Sequence, residues 1–248
     1  MCCFSRPVKS VTNTNIFARS STKDRQFLVY EMKLAADEDL AMILPIPVPA
    51  KSAEDAVRFV SLRDYPGFFK DMAAGFPAPG SRSLGDGGPA AGKAASPLAV
   101  VDVGEFEASF VPTVADFSRL DERFRLPATA WDALPAYQDH GFAVFKLKKG
   151  AKTIHPMAFE FPRRDPKRLF FPTVHIHDGA VHATAKFDHS LYLQKRDGEG
   201  TDVLAWRESE KLAASFMKAG KDDGIVDGKR HVYLREIRGT QKNEDVVL

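Results

Sequence analysis

"FFPTVHIHDGAVHATAKFDHSLYLQ", residues 170–194, holds four of the seven histidines of a 248-residue chain. Asp178-Gly179 stands between two runs in which apolar and polar residues alternate. Gly takes positive φ readily and Asp tolerates it, so the dipeptide predicts a two-residue hairpin turn. That turn pairs His177 with Ala180, His175 with His182, Thr173 with Thr184 and Phe171 with Lys186. Side chains alternate along a strand. One face then carries Thr173, His175, His177, His182 and Thr184, and the other carries Val174, Ile176, Val181, Phe187, His189 and Leu191. The second is the core face, and His189 reads as a core histidine. His175, His177 and His182 form a patch on the polar face, with opposed Cβ atoms about 5 Å apart and neighbours along the strand about 7 Å apart.

Three imidazoles at these spacings can converge on one ion, which needs nitrogens about 2.0–2.1 Å away. The pattern is similar to the zinc site of α-carbonic anhydrases, over these three histidines alone. Zinc or copper is the expected ion, with Cys2, Cys3 or Glu160 as the fourth ligand. An open fourth position would activate a water for hydrolysis, and a filled one would serve structure or metal handling. Two other readings stand beside this one: a solvated polar face, and a metal-free acid–base site.

The second unusual feature is Cys2-Cys3, the only cysteines. Adjacent cysteines rarely bridge each other, so no disulfide is expected. Removal of Met1 would expose Cys2 as an N-terminal residue whose amine can serve its thiol as base. That gives an alternative from another class, a metal-free enzyme with Cys2 as nucleophile and Glu160 or the histidines in support. A third reading is a non-catalytic structural or interaction protein. "GGPAAGKA" (87–94) has the G-x-x-x-x-G-K spacing but places Ala94 where a P-loop needs Ser or Thr for magnesium. "PRRDPKR" (162–168) is a basic turn able to hold an anion or simply to face water.

The net charge is +2, so bulk charge gives no support to nucleic-acid binding. No apolar run of about 18 residues predicts a membrane span, and the N-terminus lacks a secretory apolar region. A cytoplasmic location is the expectation, with a small molecule or a metal as partner. Nineteen phenylalanines argue for an aromatic core between sheets.

Strands are expected at 26–34, at 40–49 (leaving the sheet or lying at an edge near Pro45) and at 230–239. Two more fall around Gly104 within 98–112, and a hairpin spans 141–162. Helices are expected at 52–60, within 64–76 and 114–136, and at 202–220, where apolar residues recur at helical spacing before a Gly220 cap. Residues 75–97, rich in Gly, Ala, Pro and Ser, read as a flexible surface loop, and 240–248 as a frayed tail. Regular β-α-β alternation is missing. The expected fold is therefore α+β, a sandwich-like single domain dominated by antiparallel sheet with a few helices.

The segments "MCCFSRPV", "NTNIFAR", "AMILPIPVP", "HPMAFEFP", "LFFPTVHIHDG" and "FDHSLYLQ" resemble those of an uncharacterised bacterial protein family. The resemblance spans most of the chain outside 75–97 and the tail. It implies an early cysteine and a "PIPVP"-like segment as common features, and brings no activity with it.

Overall fold

The computed structural model describes residues 2–77, 101–103, 106–126, 131–132, 134–153, 155–178, 180–198 and 200–248. The stretch 78–97, which holds the P-loop-like string and most of the expected flexible loop, lies outside these residues.

The β-rich N-terminal third forms β1 (Cys2–Phe4), β2 (Ser10–Ser20), β3 (Arg25–Ala36) and β4 (Leu40–Ile46). β5 (Arg58–Ser61) and one short helix, α1 (Phe68–Ala74), follow. Then come β6 (Val101–Val103), β7 (Phe106–Val111), β8 (Gly141–Leu147), β9 (Gly150–Thr153) and β10 (Met157–Pro162). The last third carries β11 (Phe170–Phe171), β12 (His175–Ile176), β13 (Thr184–Gln194), β14 (Arg207–Glu208), β15 (Tyr233–Lys242) and β16 (Val246–Val247).

These strands build two large sheets. One runs β12-β1-β4-β8-β7-β6, and the other runs β14-β15-β13-β2-β3-β10-β5, with β9 also on β3. Most pairs are antiparallel, while β1 with β12 and β13 with β2 are parallel. Alternation along β4 shows how the sheets stack. Leu40, Met42, Leu44 and Ile46 enter the central core with Phe145, Phe159, Phe161 and Leu191. Ala41 and Ile43 enter a second cluster on the outer face with Phe117, Trp131 and Phe142. β4 is thus covered on both faces, which is why "LAMILPI" is apolar throughout. A third cluster packs α1, through Phe68 and Met72, on the outer face of the larger sheet. The aromatic core between sheets is present, with edge-on pairs such as Phe59–Phe145 and Phe106–Phe145.

Several expected elements differ. β4 is an interior strand, and Pro45 sits in it opposite Phe142. It is tolerated because β1, on the other flank, pairs only with Met42 and Ile43. Residues 141–162 are not a hairpin: β8 pairs with β4 and β7, while β9 and β10 pair with β3 in the other sheet. The 52–60 helix is replaced by a turn and β5, whose Val60 is drawn into register with Ala158. Most of 202–220 is not helical. Arg207 and Glu208 pair with Leu234 and Tyr233, and the Ser209 and Ala213 amides donate to the Val232 and Arg230 carbonyls. Pairing with a sheet edge outcompetes local helical spacing, leaving Leu204 96% exposed. Gly220 still takes the positive φ expected of a cap, at +78°. The 114–136 region holds short 3-10 turns at Val114–Arg119 and Glu122–Phe124. β6 and β7 do pair as anticipated.

Candidate functional site

The quoted stretch is not a hairpin. β12 lies in the smaller sheet beside β1, and β13 lies in the larger sheet between β15 and β2. The cause is the C-terminal segment, which wedges between the two halves. Asn243 receives a hydrogen bond from the His175 amide at 2.7 Å and donates its own amide to the carbonyls of His175 and His182. Asp245 accepts from the Thr173 and Val174 amides and from the Tyr137 hydroxyl. β16 pairs with β11, and Leu169 and Leu248 exchange backbone bonds. The tail expected to fray is therefore a structural wedge. Thr184 pairs with Lys242, where the hairpin register had placed Thr173.

The wedge changes which histidines meet. Within β13 the parity holds: Phe187, His189 and Leu191 are buried. His175 crosses from the smaller sheet to this face, and its Nε2 lies 3.1 Å from Nε2 of His189. Two imidazoles at that distance share one proton, so one Nε2 donates and the other accepts. His175 also stacks on His177, with centroids 4.6 Å apart and planes 21° apart, and packs 4.5 Å from Phe187. Phe4 of β1 covers His177 at 5.6 Å. Desolvation first, then the charge each ring would place on its neighbours, pulls His175 down to about 3 and His189 down to about 2. Desolvation takes His177 to about 4, against the pull of Asp178 and Asp188. At neutral pH the stack is uncharged.

The metal reading does not survive this arrangement. His182 points into solvent, where its Nε2 meets Asp178 at 2.9 Å. Face-to-face rings at His175 and His177 do not aim their lone pairs at a common point, and His175 Nε2 is committed to His189. Among the described residues, no group of three His, Cys, Asp or Glu side chains can hold a metal ion. Zinc or copper binding, and the hydrolase built on it, are set aside. Cys3 is buried against Ile43 and Ile176, an apolar setting. Glu160 sits on β10, 3.2 Å from the Arg58 Nε and 3.5 Å from the Arg25 Nε. Burial works against its charge, but bonds from Ser21 and Arg58 and the charge of Arg25 hold it below the usual carboxylate range. It belongs to an ion-pair group of the larger sheet. Arg163 in the basic turn is buried and donates to the Lys23 and Arg168 carbonyls. Cys2 stands in β1 with its backbone in register with His175.

His189 was placed by parity, but Asn243 and Asp245 were not anticipated. Their signal was the contrast within "NEDVVL" (243–248), polar residues followed by an apolar end that a frayed tail would leave in water.

No family model matches the chain, and no curated protein matches it. Among solved structures, the chain is similar to baculovirus P35 with a TM-score of 0.50 at 15% identity, over 96% of each chain. P35 is also described in complex with caspase-8, at a TM-score of 0.47 and 14% identity over 96% of this chain and 95% of that one. A mutated P35 after caspase cleavage gives 0.48 at 15% over 96% and 99%. At this identity the likeness establishes the fold. It is a likeness to a viral protein and lends nothing to the bacterial family that the sequence segments resemble.

Proposed function

We propose that this chain is a non-catalytic interaction protein that engages a protease of the caspase type. The observation that carries this reading is the likeness to P35 across nearly the whole of both chains, rather than over one shared motif. P35 is described in complex with caspase-8, and a mutated P35 is described after caspase cleavage. The site geometry favours the same class. Its imidazoles are uncharged, and His189 is fully buried and turned to another ring rather than to a pocket.

A second reading draws on one register. The Cys2 backbone lies opposite His175, and an N-terminal Cys2 exposed by loss of Met1 would carry its own amine as the base for its thiol. Both readings are tested in one experiment. Caspase-8 activity is titrated with the purified chain and with Cys2→Ala, and the chain's intact mass is followed. Stoichiometric loss of protease activity supports the interaction reading. Its dependence on Cys2 adds a chemical role for the thiol. Undiminished protease activity at tenfold excess of the chain, whether or not the chain is cut, rejects a caspase as the partner.

A further inference from the structure

We propose that the groove between the end of β13 and the 227–231 turn binds a polyphosphate-bearing ligand. Gln194, fully buried, fixes its walls: its amide donates to the Asp227 carbonyl and its oxygen accepts from the Asp227 amide, each at 2.8 Å. The opening beside this anchor is about 400 Å³ and is lined by Lys195, Arg196, Lys229 and Arg230, with Asp197 as the one carboxylate among the described residues. An adjoining hollow of about 150 Å³ shares Lys195, Arg196 and Arg230 and adds Arg19 and Asp227. Among the described residues, the two openings are thus lined by five cations and two carboxylates, with Arg19 already donating to the Ile225 and Gly224 carbonyls.

Arg230 shows how an anion would sit. Its Nη1 and Nη2 donate to the two oxygens of Asp197 at 2.8 and 2.7 Å, the forked geometry that a guanidinium also offers to phosphate. Asp197 stands on a turn ending in Gly198 at φ +78°, with its side chain 89% exposed. The carboxylate side of this forked pair is open to solvent, so a more highly charged anion can compete for the guanidinium. Asp227 meanwhile keeps the Arg230 Nε at 2.9 Å, so the guanidinium stays in place when Asp197 leaves. No carboxylate among the described residues pairs with Lys195 or Lys229. Asp197 is a resident anion occupying the position of the ligand's phosphate. A polyphosphate concentrates three or four charges in a space of this size. An acidic peptide spreads one charge per roughly 3.3 Å of strand and would bring less charge beside Lys195 and Lys229.

The test is calorimetric titration of the full chain with inorganic tripolyphosphate in 50 mM salt, with ATP in a parallel arm. Thermal melts check that each variant is folded. The expected result is saturable binding of about one equivalent that weakens roughly tenfold or more in Lys195→Gln/Lys229→Gln, and tightens in Asp197→Asn. ATP binding at least as tightly as tripolyphosphate would assign a nucleotide as the source, and weaker ATP binding an inorganic chain. No saturable heat, equal affinity across the three proteins, or equal affinity for a ten-residue glutamate peptide would overturn the proposal.

Discussion

Acidification from pH 7 to 5.5 tests the neutral imidazole stack. Unfolded histidines titrate near 6.5, whereas His175, His177 and His189 titrate at about 3, about 4 and about 2 in the fold. Between these limits the unfolded chain binds protons that the folded chain refuses, so stability falls as pH falls. Each ring loses about 1.2 kcal/mol over this window, and the three together about 4 kcal/mol. One group works the other way. Burial raises Glu31 to about 7, with a bond from Asn15 in partial opposition. The folded chain therefore takes up a proton there over the same window, which returns about 1.6 kcal/mol. These four groups together should lower stability by about 2 kcal/mol, a large part of a typical 5–15 kcal/mol, and His140, also lowered by burial, adds to the loss in the same direction. Glu31→Gln should unmask the full loss of about 4 kcal/mol. Urea unfolding at pH 7 and 5.5, followed by the fluorescence of the buried Trp131 and Trp206, reads both values. Stability that is flat or rising in Glu31→Gln as pH falls would refute the uncharged stack.

Two further predictions concern the wedge and the core. Asn243→Ala removes three hydrogen bonds to the backbone of His175 and His182, and should cost about 2–3 kcal/mol. Amide exchange should then quicken at His175 and across Val246–Leu248, while β2 and β3 stay protected. Gly141→Ala places a Cβ 2.6 Å from the Phe110 ring and 2.8 Å from Val48, so it should destabilise by about 1–3 kcal/mol in thermal melts. Gly150→Ala, whose Cβ meets nothing but whose φ is +121°, separates backbone strain from this crowding.

Strand content was legible where the alternation was strong: 26–34, 230–239 and the pair around Gly104 all appear as strands. The parity that buried His189 beside Phe187 and Leu191 was legible too. Partner choice was not. Asp178-Gly179 signals a turn, but a turn only proposes a pairing, and a segment more than 60 residues further on supplies better hydrogen bonds through Asn243 and Asp245. The same competition undid 202–220, where helical spacing lost to the edge of β15. The histidine patch failed for that reason alone. The three histidines stand out in the sequence, but a one-strand change of partner replaces His182 by His189 and turns a converging set into a closed stack. The basic groove arises between turns more than 30 residues apart, and no local motif announces it.

The most direct measurement of the central claim is the mass in solution of the chain mixed with active caspase-8, by size-exclusion chromatography with light scattering. The account predicts a species equal to the sum of the two partners that persists on dilution. Separate elution of the two proteins at micromolar concentration would contradict it.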